Sequence, residues 1–215
     1  MELLLKSLPF LLQGAWETLK IAAAALSFGF CGGIFLGALN CKKMALSSLD
    51  WILKGVVWTL RGTPLFVQLL IVYYALPELL GFALTPFTAG VIALGINSTA
   101  YVSEIIRGGI DALPEGQWEA AHALSLSQGT TLREIILPQA VSNALPSLTN
   151  EVSTLIKETS ILMIIGVAEL TKVSKDIVAR ELDPMTIYLS AAFFYLVMTS
   201  AVSFGFQNLK KWRHR

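Results

Sequence analysis

The chain has 215 residues, of which 54% are hydrophobic and only 14% charged, with a mean hydropathy of +0.64, whereas a soluble domain carries about a quarter charged residues. The formal net charge is +1, which leaves neither a basic face for nucleic acid nor an acidic tail. Cys31 lies in an apolar run and Cys41 beside Lys42 and Lys43, with no CxxC or metal-ligand spacing, so both read as unpaired.

Residues 1–18 place a lone Lys6 in a short apolar run, without the charged leader or small-x-small cleavage site of a secretory signal. They read as an amphipathic interfacial helix, bent at Pro9, with Trp16 at headgroup depth. Stretches of about 20 mostly apolar residues, enough to cross roughly 30 Å of hydrocarbon, then follow at about 19–39, 56–76, 86–106, 148–168 and 186–206. The second opens on Arg61, Gly62, Thr63 and Pro64, which read as a bend with a possible gating role. The predicted fold is an all-α polytopic membrane protein of five transmembrane helices, with one membrane domain over 19–208 and a basic tail over 209–215.

Orientation follows from Lys and Arg near the span ends. Lys42, Lys43, Lys54, Arg107, Arg133, Lys210, Lys211, Arg213 and Arg215 fall on one side of a five-span chain, against Lys6, Lys172, Lys175 and Arg180 on the other. This predicts an external N-terminus and a cytoplasmic C-terminus. Residues 107–147 then form a cytoplasmic segment far longer than two helices need for joining. The external stretch ELTKVSKDIVARELDP has Leu170, Val173 and Ile177 at helical spacing and predicts an amphipathic surface helix. Five spans do not divide into equal inverted halves, which argues against a self-contained carrier of the repeat type.

Within the cytoplasmic segment, Pro114 suits a first helical turn, and Glu115 and Glu119 complement the positive end of a dipole. A helix over about 115–124 would expose Ala120, Ala121 and Ala123, small side chains that let a partner approach closely. The competing reading is a helix resting on headgroups, for which two consecutive alanines make a poor face. SLSQGTT turns the chain, and LREIILPQA returns it to the membrane.

Charges at the centre of a spanning helix cost roughly 2.5 to 3.5 kcal/mol each on insertion scales, so those of the fourth span must face protein or a wet cavity. Asn150, Ser153, Lys157 and Ser160 share one helical face, and Glu151, Thr154 and Glu158 the neighbouring one. In the third span Asn97, Tyr101 and Glu104 form a stripe, and Arg107 is placed to pair with Glu104. We read Glu104 and Arg107 as a candidate structural ion pair. Asn97, Tyr101, Lys157 and Glu158 are candidates for a path taken by a zwitterion, with ion pairing inside the bundle as the alternative.

The series RGTPLFVQL (61–69), SEIIRGGI (103–110), EGQWEAAHAL (115–124), ILPQA (136–140), LPSLTN (145–150) and KETS (157–160) resembles, in order and spacing, the permease subunits of bacterial ATP-binding-cassette importers for polar amino acids. Glu119, Ala120 and Ala121, followed by Ile135, Leu137 and Pro138, resemble the EAA signature of that family. The resemblance implies the type I importer permease fold in the bacterial cytoplasmic (inner) membrane. It implies that Glu119, Ala120, Ala121 and Ser125 form a coupling helix seated on a dimeric cytoplasmic ATPase. It also implies a second permease subunit, identical or related, an extracytoplasmic substrate-binding protein and an amino-acid substrate. This chain has no GxxxxGK[ST] motif, so no catalytic residue and no cofactor is expected here; ATP and magnesium belong to the partner.

One position departs from the family pattern, which has glycine where Ser125 stands. If the chain is left-handed there, serine costs on the order of 1 kcal/mol relative to glycine. The alternative left open is an ion-coupled secondary transporter with Glu151 or Glu158 as a proton site. An integral membrane enzyme is disfavoured, since two histidines and no nucleophile motif leave little to catalyse with.

Overall fold

The computed structural model describes residues 2–41 and 47–213, and the side-chain surroundings of 3–41 and 51–206. Lys42, Lys43 and Arg215 lie outside the described residues, as do the side chains of Lys210, Lys211 and Arg213, so these supports of the orientation are sequence statements only. Among the described residues there are helices and turns and no strand.

Helix α1 spans Glu2–Leu39 with Pro9 inside it. The segments 1–18 and 19–39, read separately in the sequence, therefore share one helix from Glu2 onward. Proline removes a single bond, to the carbonyl of Leu5, which one early turn tolerates. Helix α2, Ser47–Gly62, is followed by α3, Leu65–Leu80, and the break between them has a local cause. Thr63 precedes a proline and is steered out of the helical region. Pro64 is extended (φ −62°, ψ 132°), and its carbonyl accepts from the amides of Val67 and Gln68 at 3.0 and 3.2 Å, starting α3.

Helix α4 is Pro86–Asp111, α5 is Gly116–Ala123, and α6 is Leu137–Glu158. A 3₁₀ turn over Thr159–Ile165 ends at Gly166, whose φ of 86° suits a residue without Cβ. Helix α7, Leu170–Glu181, and α8, Pro184–Arg213, complete the chain. Two widened, π-type turns, Ile71–Ala75 and Thr131–Ile136, have one origin. Pro77 and Pro138 cannot donate to the carbonyls four residues back, Tyr73 and Glu134, both inside the wide turns. The preceding amides, of Leu76 and Leu137, bond five residues back instead, to Ile71 and Leu132.

Among the described residues three helices are long and apolar enough to cross a membrane, Leu3–Leu39, Pro86–Asp111 and Pro184–Phe206, and α2 with α3 supplies a fourth crossing if the broken pair is one span. The segment expected to span at 148–168 is not among them. Its length is present in α6 and the 3₁₀ turn, but Glu151, Lys157 and Glu158 lower its apolarity. Apolarity alone therefore does not reach the five-span count, and the second expected span, 56–76, is not one continuous helix.

The chain divides into two compact units. One comprises Met1–Ser27, Pro64–Gly95 and Val152–Arg215. Here the start of α1 packs on α7 so closely that a Cβ at Gly14 would lie 2.9 Å from the Cα of Leu170. The amide of Leu170 donates to Thr18 Oγ1 at 3.2 Å. Helix α7 buries Leu170, Ser174 and Ile177, so two of the three apolar positions expected on one face are buried and the third, Val173, is half-buried. Glu169 caps it, Oε2 accepting from the Thr171 amide at 2.9 Å and Oε1 from that of Lys172 at 2.7 Å. Tyr195 Oη donates to the same carboxylate at 2.9 Å. Burial pushes the Glu169 carboxyl above the usual carboxylate range, opposed by these donated hydrogen bonds.

The other unit comprises Phe28–Thr63 and Ile96–Glu151. Gly33 and Gly37 on α1 let its backbone approach α4, since a Cβ at either would come within 2.5 Å of Val102 Cβ or of the Ser103 carbonyl. Val102, Ile106 and Ile110 of α4 form a core with Leu132, Ile136, Ala140 and Leu148, closed over by Trp118.

Candidate functional site

The helix expected over about 115–124 is α5, Gly116–Ala123. The carbonyl of Glu115 accepts from the amides of Trp118 and Glu119 at 2.9 and 3.1 Å, starting the helix just after Pro114. Trp118 and Ala121 anchor it inward, Ala121 being only 2% exposed. The sequence expectation of an exposed Ala121 is thus corrected. Alanine there fits tight packing against the unit's own core, while Glu119, Ala120, His122, Ala123 and Leu124 face outward.

The helix ends in a Schellman motif. Ser125 has φ 59°, its amide donates to His122 O at 2.8 Å, and the Leu126 amide donates to Ala121 O at 3.1 Å. The left-handed conformation suspected at this serine is the one it adopts. Ser127 then caps the next turn, accepting from the Thr130 amide at 3.2 Å. Trp118, Glu119, His122, Leu126, Gln128 and Thr131 line a depression of about 240 Å³ beside the exposed face. Gln139 Nε2 bonds Ile135 O at 2.7 Å and reaches Gln117 Oε1 at 3.5 Å, tying the returning chain to the start of α5.

In the other unit, Lys157 and Glu158 share an open pocket of about 600 Å³ with Pro64, Leu65, Phe66, Thr154, Ser160 and Ile161. Lys157 is exposed and Glu158 half-buried. The cavity is mostly apolar, with one cation and one anion at its wall, a combination that suits a small zwitterion. Asn97 and Tyr101 do not line it. Asn97 is buried, and Tyr101 presents its ring to Arg61, whose Cζ lies 5.2 Å from the centroid.

Glu104 and Arg107 form a bidentate pair, Nε to Oε1 at 3.0 Å and Nη2 to Oε2 at 2.8 Å. Sequence spacing identified that pair but not its extensions. Arg107 Nη1 also donates to Asp111 at 2.9 Å, and Arg61 Nη1 stands 3.5 Å from Glu104 Oε2. Asp111 follows Arg107 at i+4 and was within reach of the same helical rule. Arg61 was not, because its partners lie some forty residues away. Ser98 Oγ donates to the buried Glu151 at 2.8 Å, a second pairing across helices with no local signal. Among the described residues no group of His, Cys, Asp and Glu is arranged to hold a metal ion, and neither Cys31 nor Cys41 is in a disulfide.

The comparisons with known proteins agree with one another. The family described as "Binding-protein-dependent transport system inner membrane component" matches residues 29–215. The arginine transport system permease protein ArtQ of Bacillus subtilis is 40% identical over 197 residues, 92% of this chain and 89% of that protein. The glutamine transport system permease protein GlnP of Escherichia coli K12 is 38% identical over 210 residues, 95% of this chain and 93% of its own length. A chain in a crystal structure of an amino acid ABC transporter with histidines superposes with a TM-score of 0.86 at 37% identity, covering 97% of this chain and 96% of that one. An inward-facing MetNI methionine ABC transporter has a chain of the same fold, with a TM-score of 0.83 at 18% identity, covering 94% of this chain and 95% of its own.

Proposed function

The chain belongs to the family of binding-protein-dependent transport system inner membrane components, and from that premise we propose that it forms the translocation path of an ATP-driven importer for a polar or charged amino acid. The observation that carries the coupling part of the reading is α5. It is a short helix, anchored by Trp118 and Ala121, that turns Glu119, Ala120 and Ala123 outward and ends in a fixed left-handed turn at Ser125. Such a rigid, small-faced projection suits docking into a groove of a partner protein. The partner is a cytoplasmic ATPase dimer, which binds ATP and magnesium; this chain is not itself an enzyme.

The relatives' names support an amino acid as substrate. A second permease subunit, identical or related, and an extracytoplasmic binding protein complete the assembly in the bacterial inner membrane. The chain crosses the membrane five times, with its N-terminus outside and its C-terminus in the cytoplasm. The polar fourth crossing is shielded from lipid by protein and by the path. Lys157 and Glu158 are the better supported path residues because they line one pocket, with Asn97 and Tyr101 as further candidates. Lys157 would take the substrate carboxylate and Glu158 the ammonium.

Reconstitution tests the reading. The chain in liposomes alone should transport nothing under a proton gradient, and the chain with its ATPase and binding protein should transport on ATP. Proton-driven uptake by the chain alone would favour the ion-coupled carrier and overturn the importer. In the working assembly, Lys157→Met should raise the half-saturating substrate concentration at least tenfold. Unchanged affinity and uptake would remove Lys157 from the path.

A further inference from the structure

Glu169 has no exposed surface, and capping α7 alone does not call for a residue of its kind. A serine would satisfy the first amides of the helix, whereas an ionised carboxylate is costly to bury. What the carboxylate adds is reach and spare lone pairs. While Oε1 and Oε2 accept from the amides of Lys172 and Thr171 at 2.7 and 2.9 Å, Oε2 also accepts from Tyr195 Oη of α8 at 2.9 Å. Thr171 Oγ1 lies 2.9 Å from the same phenol oxygen. Thr159, itself fully buried, donates to the Ile156 carbonyl at 2.8 Å and is a further hydrogen-bonding neighbour of the Tyr195 hydroxyl. In the chain Thr159 stands between Glu158 and Ser160, both wall residues of the pocket.

We propose that Glu169 and Tyr195 are positioning residues of the pocket: the hydrogen bond they share fixes, through Thr159, where the 3₁₀ turn presents Ser160 and Ile161 beside Lys157 and Glu158. Packing leaves that turn little slack. Helix α7 packs both on the turn and on α8. Leu162 of the turn is fully buried, and a Cβ at Gly90 would meet its Cδ1 at 2.7 Å. The turn closes at Gly166, whose amide donates to Met163 O at 3.2 Å while that of Val167 donates to Leu162 O at 3.3 Å, and Glu169 follows two residues later. All of these residues, the pocket wall included, belong to one compact unit. A change at the Glu169–Tyr195 bond therefore reaches the pocket through direct contacts. The inference rests on the transport reading for its consequence, but not for its geometry.

The test compares substitutions that each remove one hydrogen bond around α7, in the complete assembly with the partner ATPase and binding protein in liposomes. Tyr195→Phe breaks the link to α8 and leaves the cap whole. Thr18→Val removes the acceptor of the Leu170 amide, a contact of α7 that does not involve Tyr195. Glu169→Asp keeps a capping carboxylate on a side chain too short to reach the phenol as well. Tyr195→Phe and Glu169→Asp should each raise the half-saturating substrate concentration at least fivefold with maximal uptake within twofold, and Thr18→Val should leave both within twofold. With Cys31→Ser and Cys41→Ala removing the native thiols, Ser160→Cys reports on the pocket wall through its rate of reaction with a charged, water-soluble thiol reagent. Tyr195→Phe should change that rate at least threefold and Thr18→Val less than twofold. Equal effects of Tyr195→Phe and Thr18→Val on either measurement, or no effect of Tyr195→Phe, would overturn the positioning role and leave Glu169 a helix cap. Should Tyr195→Phe not assemble, Glu169→Asp is read against Thr18→Val by the same limits. A parent assembly that moves no substrate would defeat the transport reading, while the labelling rates would still decide the role of Tyr195.

Discussion

The amide of Leu126 donates to the carbonyl of Ala121 at 3.1 Å, and closing that bond holds Ser125 between them at φ 59°. Left-handed backbone costs an L-residue about 1–2 kcal/mol, part of which glycine returns by its greater freedom when unfolded. Ser125→Gly should therefore stabilise the chain by about 0.5–1 kcal/mol, and Ser125→Val should destabilise it by more than 1 kcal/mol, roughly, since β-branching suits this region worst. Denaturant titration in detergent, followed by far-UV circular dichroism, measures both. A Ser125→Val variant as stable as the parent would mean that the turn is not held left-handed.

Close approach of α1 to α4 makes a second, sharper contrast. A methyl at Gly37 would meet the Ser103 carbonyl at 2.5 Å and Ile106 Cβ at 2.9 Å, whereas one at Gly108 would meet nothing within 4 Å. Gly37→Ala should cost about 1–3 kcal/mol as overpacking. Gly108→Ala, in the interior of α4, should be neutral or stabilising by up to about 1 kcal/mol. Midpoints of thermal aggregation for the two purified variants give the comparison, and equal midpoints would contradict the packing.

These contrasts also indicate what a sequence can carry. Helical spacing of Leu170, Val173 and Ile177 located α7, and Pro114 with Glu115 and Glu119 marked the start of the short helix before Ser125. A bend at Arg61–Pro64 was legible from the proline, but not that the helix breaks there. The expected span at 148–168 rested on length and flanks, and Glu151, Lys157 and Glu158 keep it from qualifying by apolarity. Contacts between distant segments were invisible. Nothing local to Arg61 points to Tyr101, nothing local to Ser98 points to Glu151, and Ala121 could be placed on its helix but not assigned to the inward side.

Glu169 caps α7 with no exposed surface and gathers three donors, the amides of Thr171 and Lys172 and the hydroxyl of Tyr195. Glu169→Ala removes the cap and leaves those donors without the carboxylate, which should cost about 2 kcal/mol or more. Tyr195→Phe removes one donor and should cost about 1 kcal/mol. Hydrogen exchange at the Thr171 and Lys172 amides should accelerate strongly in Glu169→Ala and only slightly in Tyr195→Phe. Matching exchange in the two variants would show that α7 is held by its apolar face alone.

Helix α5 offers the last contrast, between two adjacent alanines. Ala121 is 2% exposed, whereas Ala120 lies on the outer face with Glu119 and Ala123. A bulky side chain at position 121 must displace the unit's own core, so Ala121→Leu should lower stability by about 1–3 kcal/mol with or without a partner. At position 120 the same substitution meets only solvent in the isolated chain, so Ala120→Leu should leave stability within about 0.5 kcal/mol. If the outer face is the docking face, Ala120→Leu should nevertheless weaken ATPase association at least tenfold, because the bulk lies where the partner must approach. Thermal midpoints of the isolated chain, read beside co-purification of the ATPase, separate the two effects. Full ATPase recovery with a stable Ala120→Leu chain would move the docking face away from Ala120 and turn the search to the depression between Trp118 and Thr131.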